Sequence, residues 1–402
     1  MKFPAMCFIS VPLLSALLLG PQAKAAPAAG VEVRFYPQKQ LWSYQLEAAR
    51  NLHSAVLQNT AIVNRGSEAM VVGQVRFELL RKDEVVLSRT LHASDLDSAA
   101  KTGKAMATGG MFELLTFQFA PDQLFGGKPT LSATRTLAPG ASLYLPAQVF
   151  AFRGQPEQVR VTIDYEGKAD DTVATLPLRH GTVPGHYRFP LRGRWVAGAG
   201  STLHSHHRWA VPEEFAFDFA RYGASGGTYS GDGTKVTDYY AYGEPVLATA
   251  DGEVVAVLDK LPDSVDAMRR AGETLAQYQK RLVESQGALL AAGTESIPGN
   301  NVIVRHAEGI YSVYGHLKPG SAAVAIGDWV KAGQKLGAVG TSGNSTEPHL
   351  HFHLCDAPDP LQCAGLPVAF DDVEIPISES PRQIQSGDLV ETLDAPAQIE
   401  SK

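Results

Sequence analysis

The sequence predicts a mainly β protein: an N-terminal immunoglobulin-like β-sandwich followed by an antiparallel β domain with a helical insert. Three observations predict it. Short apolar or alternating runs of strand length recur along most of the chain. Gly-, Pro- and Asn-containing turn signals separate them. One stretch, about 260–295, switches to apolar residues at three- and four-residue spacing.

A chain of 402 residues is long enough for two or three domains. Residues 1–25 read as a secretory signal. Lys2 gives a positive start, an apolar core runs over 8–19, and Ala23-Lys24-Ala25 is a small-x-small cleavage site. That core is too short to span a bilayer, and no later run is long enough. The reading is a periplasmic or secreted protein with no membrane span in the mature chain. No Cys follows the apolar core, which argues against a lipid anchor. The net charge of -7, with no basic block, gives no reason to expect nucleic acid. Cys7 leaves with the signal. Cys355 and Cys363 remain, and in an exported chain they are expected to form one disulfide.

The sandwich is expected over 26–180. Val31-Glu32-Val33-Arg34-Phe35-Tyr36, the run 71–80 and the run 159–165 are strand-like. Asn64-Arg65-Gly66-Ser67 and Ala138-Pro139-Gly140-Ala141 are turns. This spacing suits a sandwich. His53 and His92 stand alone and read as structural. Residues 96–127, Gly/Ala-rich and weakly patterned, read as a mobile loop. His180-Gly181-Thr182-Val183-Pro184-Gly185 has linker composition.

The second domain is expected over 187–375, with 376–402 as a tail. It opens with His204, His206 and His207, then Phe215-Ala216-Phe217-Asp218-Phe219 as a strand. A carboxylate within an apolar strand is costly to bury unpaired, so Asp218 calls for a cation or a solvent-facing edge position. The stretch 242–257 reads as a hairpin turning at Asp251-Gly252. Val265, Met268, Ala271, Leu275, Tyr278 and Leu282 mark the amphipathic helix, expected to cover the sheet or border a groove. Strands resume at 301–306 and 310–317, the latter ending on His316.

A Gly/Ser/Asn-rich loop then runs into His349-Leu350-His351-Phe352-His353-Leu354. Period-two alternation puts the three histidines on one strand face and the apolar residues on the other. A single strand His is usually structural. Several on one face are costly unless used, and the usual user is a divalent metal bound by neutral imidazole.

Several motifs in order resemble one family. They are the 244–254 segment, Gly299-Asn300-Asn301-Val302-Ile303-Val304-Arg305-His306, Tyr314-Gly315-His316-Leu317, the run 327–334, and Gly343-Asn344-Ser345 to His349-Leu350-His351-Phe352. Over roughly 187–375 they are similar to lysostaphin-type zinc metallopeptidases. The resemblance implies a small antiparallel β fold with a groove floored by the sheet. It implies one Zn2+ held by His, Asp and the second His of HxH, with two further histidines assisting peptide-bond hydrolysis, typically in peptidoglycan cross-links. Carried onto this chain, the metal ligands are His207, Asp218 and His351, and the catalytic pair is His316 and His349. The family's first two ligands commonly follow an HxxxD spacing, and the gap here is longer. His206 or His204 therefore stays open in place of His207. The resemblance gives His353 no role.

The leading expectation is an exported zinc endopeptidase acting on peptidoglycan or peptide, with a cell-wall regulatory partner, its N-terminal domain serving as a spacer, a substrate-positioning domain or a cover for the groove. The alternative is a non-catalytic wall-binding or hydrolase-regulating member of the same fold. A lipoyl- or biotinyl-carrier hairpin, with Lys260 as the modified residue, is disfavoured because an exported chain does not normally meet the modifying enzymes.

Overall fold

The computed structural model describes residues 30–224 and 226–393. The signal read at 1–25 lies outside them. Among the described residues no helix is long and apolar enough to cross a membrane.

Two sheets build the N-terminal domain. The smaller carries Val31–Tyr36, Asn59–Asn64 and Ser142–Leu145. The larger runs in the order Glu84–Leu91, Met70–Arg81, Gln158–Tyr165, Thr172–Arg179, Leu41–Glu47, Leu52–Leu57, Gln148–Arg153. Val31, Ile62 and Leu143 of one sheet share a core with Phe77, Phe150 and Val161 of the other. Gln58 sits where the chain leaves the larger sheet at Leu57 and enters the smaller at Asn59.

Residues 96–127 are not a loop. They fall largely within helices Ala93–Thr108, Met111–Leu114, Thr116–Phe119 and Pro121–Phe125. Asp95 accepts a hydrogen bond from the His92 backbone N–H at 2.9 Å, capping the first turn. Leu96, Ala100 and Gly103 then bury one face at spacings of four and three. The Ala content that looked patternless is good helix composition.

The second domain is built on one large antiparallel sheet, beside which Pro245–Leu247 and Lys335–Ala338 form a separate two-stranded one. The order of the large sheet is Trp329–Val330, Gly252–Leu258, Asn301–Arg305, Tyr311–Gly315, Leu350–Cys355, Phe217–Ala220, Arg194–Ala199, Leu389–Thr392, Val373–Glu374. The histidine strand is central. Leu350, Phe352 and Leu354 are fully buried and pack with Phe217, Phe219 and Tyr314. Burying one such side chain contributes about 1.5–3 kcal/mol, which fixes the register and so turns the histidines to the opposite face.

Four expectations are corrected. The strand near Asp218 is Phe217–Ala220, shorter than 215–219 and interior, so Asp218 is not at a solvent-facing edge. Pro245–Leu247 and Gly252–Leu258 do not form a hairpin: the first pairs with Lys335–Ala338, the second with Asn301–Arg305 and Trp329–Val330. A Cβ at Gly252 would lie 2.4 Å from the Arg305 carbonyl oxygen, so this glycine serves a close strand approach. The helix spans only Leu275–Ala292, beginning at a Thr274–Gln277 capping box. Upstream, Arg281 donates to the carbonyls of Asp266 and Met268, and only a short 3-10 turn, Val265–Ala267, forms there. No helix residue with described burial is buried, so the helix does not cover the sheet. It borders the histidine loop, with Tyr278 close to Thr346 and Glu347. Finally, Leu389–Thr392 pairs with Arg194–Ala199 and Val373–Glu374, so the sheet extends past 375 into the expected tail.

Candidate metal centre

Strand pairing builds the site. Asp218 lies directly opposite His351, and Gly315 faces His351 from the other side. Directly paired residues of an antiparallel ladder share a face with Cβ atoms about 5 Å apart. Asp218 is the hub. Its Oδ2 lies 2.9 Å from His207 Nε2 and its Oδ1 3.1 Å from His351 Nδ1. His349 Nε2 is 3.4 Å from Oδ1, and His206 Nε2 is 3.4 Å from Oδ2.

The outer nitrogens are also held. His207 Nδ1 is 3.0 Å from Glu213 Oε2. His351 Nε2 is 2.9 Å from His353 Nδ1. His316 Nδ1 donates to the Ser342 carbonyl at 2.7 Å, and His349 Nδ1 donates to the Glu347 carbonyl at 2.7 Å. In their neutral forms both therefore carry the acceptor lone pair on Nε2, which for His349 faces the Asp218 carboxylate. The two rings meet edge-on, 4.8 Å between centroids, and His316 lies 5.6 Å from His351. His316 has φ +57, a left-handed conformation that costs a non-glycine residue energy and is found preferentially at functional sites.

Thus the five expected residues, His207, Asp218, His316, His349 and His351, come together although 144 positions separate the first and last. Among the described residues, ligand atoms of His206, His207 and Asp218 all lie within 4.8 Å of one another. His206 is thus adjacent to the site but its side chain is 72% exposed, against 8% for His207. His204 is exposed. A second cluster, His353 with Cys355 and Cys363, offers no thiolate, because the cysteines form the expected disulfide.

Residues 233–362 match the model of Peptidase family M23. This segment belongs to that family. The matched segment of the M23 domain contains His316, His349 and His351; His207 and Asp218 lie before it and join the site through the sheet. Curated relatives match over short stretches. Cell division protein DipM of Caulobacter vibrioides is 40% identical over 79 residues, 19% of this chain and 12% of that protein. DD-carboxypeptidase/endopeptidase Mpg of Neisseria meningitidis is 38% identical over 68 residues, 17% of this chain and 15% of that protein. Murein hydrolase activator EnvC of Escherichia coli is 42% identical over 53 residues, 13% of this chain and 12% of that protein. The chain therefore spans well under a fifth of the length of these relatives.

Electrostatics in the M23 domain follow from the packing. Burial alone would push the Asp218 carboxyl up, but His207 and then His349 hold it well below its ordinary range. Burial likewise opposes charge on His207, yet Asp218 and Glu213 carry its pKa up to about 10. His316 is driven well below the ordinary value, by burial first and then by His349 and His351. His353 is pushed down to about 3, by burial and then by His351. Glu213 was not legible in the sequence. A carboxylate six residues after the expected ligand His207, across a Pro-containing 3-10 turn, has no recognisable spacing signal.

Proposed function

We propose that the M23 domain is an exported, zinc-dependent endopeptidase acting on peptide bonds, most directly those of peptidoglycan cross-links, in the periplasm or outside the cell. The observation that carries this reading is the convergence of His207 Nε2 and His351 Nδ1 on the two oxygens of the partly buried Asp218.

These donors fit zinc. Two imidazoles and one carboxylate are a common catalytic set that leaves a coordination position open. Each imidazole is oriented from behind, by Glu213 or by His353, as metal-ligating histidines usually are. That support favours His207 over the exposed His206. With Nδ1 as the ligating atom, His351 keeps its proton on Nε2 and donates to His353 Nδ1, leaving the His353 proton on Nε2. A zinc ion held there supplies Lewis acidity and lowers the pKa of water toward neutrality.

The rest is done by the protein's own groups. His316 and His349 have their Nδ1 protons fixed on backbone carbonyls, so each offers Nε2 for taking up a proton from the attacking water or for hydrogen-bonding the developing oxyanion once protonated. The 340–348 loop fixes both rings, since Ser342 and Glu347 supply the carbonyls. Mpg carries an endopeptidase name, which supports a peptidase reading.

The second reading is a non-catalytic protein that binds the wall or regulates another hydrolase, favoured by the similarity to a murein hydrolase activator. One experiment separates them. His351→Ala is expected to abolish zinc binding and hydrolysis together. Hydrolysis that persists after complete zinc loss would refute the enzyme reading. Wild-type protein with neither zinc nor turnover would establish the second one.

A further inference from the structure

The segment carrying His207 is held from both domains. Between His207 and Asp218 the chain makes two 3-10 turns, His206–Trp209 and Val211–Glu213. Two interleaved pairs cross it at the same six-residue offset. His207 meets Glu213, and the next residues along, Arg208 and Glu214, form an ion pair of 2.5 Å. Arg208 is fully buried and Glu214 is 6% exposed.

The surroundings of that ion pair come from the N-terminal sandwich. The Arg208 guanidinium carbon sits 3.2 Å from the centroid of the Tyr44 ring. Tyr44 stacks on Phe215 at 4.6 Å, and its hydroxyl donates to the Glu214 carbonyl. Gln58 Nε2 reaches Glu214 Oε2 at 3.0 Å and the Arg208 carbonyl at 3.2 Å. Arg208 Nε and Nη2 have no acceptor among the described residues, so Glu214 and the Tyr44 face are what compensate the buried charge. Val211, between the two pairs, is buried in a cluster with Phe112, Phe119 and Tyr144 of the sandwich domain.

We propose that the N-terminal sandwich is a structural component of the metal centre, with Tyr44 and Gln58 acting as positioning residues for His207. They fix Arg208 and Glu214, and these fix the backbone on either side of the His207–Glu213 pair. The M23 sheet supplies Asp218 and His351 rigidly. The first ligand lies on a 3-10 turn outside the sheet, and that turn takes its position from the other domain. Loss of the contacts leaves two ligands in place and one loose, which lowers metal affinity more than fold stability. This rests on the metal-site reading above.

The test uses the full chain, Co2+ as a spectroscopic probe and Zn2+ affinity by chelator competition. Tyr44→Leu and Gln58→Met are expected to weaken Zn2+ binding at least tenfold and to alter the visible Co2+ spectrum. Tyr44→Phe keeps the ring under Arg208 and is expected to stay within threefold of wild type. Phe77→Ala, which loosens the sandwich core away from 206–214, is expected to lower the unfolding midpoint and leave the Co2+ spectrum unchanged. Gln58→Met is nearly isosteric, so it decides the matter if Tyr44→Leu does not fold. Wild-type spectrum and affinity in the folded Tyr44→Leu or Gln58→Met protein would overturn the proposal alone. Wild-type protein that takes up neither metal would overturn both it and the underlying metal-site reading.

Discussion

Glu213 gives the most quantitative handle on the site. Its Oε2 lies 3.0 Å from His207 Nδ1, and the two side chains are 18% and 8% exposed. Glu213→Leu removes one charge-assisted hydrogen bond in a nearly dry setting. Such a bond contributes about 1.5–3 kcal/mol, which corresponds to a roughly 10–150-fold loss of zinc affinity. Lost outer partners of metal-bound histidines independently suggest about 10–100-fold. Glu213→Gln keeps an acceptor carbonyl and loses only the charge. The difference between charged and neutral bonds, about 1–1.5 kcal/mol, predicts a roughly 5–15-fold loss. Zinc affinity is measured by competition with a chelator of known strength, at fixed pH because ligand protonation competes with metal. Affinity within twofold of wild type for Glu213→Leu would refute the orientation argument. So would a larger loss for the Gln variant than for the Leu variant.

Two further outcomes are expected. In metal-free protein the folded state keeps a proton on His207 that the unfolded chain releases near pH 6.5, because Asp218 and Glu213 outweigh burial and carry the folded pKa up to about 10. That stabilisation is complete below about 6.5 and is lost as pH rises toward 10, so the urea midpoint of chelated protein falls between pH 7 and pH 9.5; a flat or rising midpoint contradicts the ion-pair reading. Phe352→Ala opens a cavity between Tyr314 and Phe370 on the core face of the histidine strand. It is expected to cost about 3–5 kcal/mol and lower the Tm of this domain by roughly 6–20 °C in calorimetry, whereas a change under about 2 °C would show that this strand face does not carry the core.

What could be read from the sequence was what is written locally. The alternation of His349, His351 and His353 with Leu350, Phe352 and Leu354 states a strand and its two faces, and the structure buries the apolar set in the core. His316 at a strand end and Asp218 among phenylalanines were also visible, because polar residues in such settings need a reason. Pairing was not visible. Asp251-Gly252 carries the letters of a hairpin turn, but the glycine answers to Arg305, more than fifty positions away. The Ala-rich 93–108 segment buries only Leu96, Ala100 and Gly103, two of them small, so its periodicity is faint. The closing strand Leu389–Thr392 is four residues long and finds its partners only once the sheet exists.

The contribution of the sandwich to the site was the least legible of all. Nothing near Tyr44 or Gln58 distinguishes them from ordinary strand and turn residues. Their roles arise from tertiary contacts with Arg208 and Glu214 across more than 140 positions. The family match begins at residue 233, whereas the proposed ligand set begins at His207. Asp218 sits on the sheet, but His207 sits on chain whose shape is set outside it.

Digestion of purified peptidoglycan by the signal-free protein, followed by mass analysis of the released fragments, tests the central claim most directly. With zinc bound, cross-linked peptides are expected to be cut at a peptide bond, giving fragments one water heavier in sum than their parent. A chelator is expected to stop their release and added Zn2+ to restore it. Fully zinc-loaded protein that releases no such fragments, or chelated protein that releases them undiminished, would contradict the account.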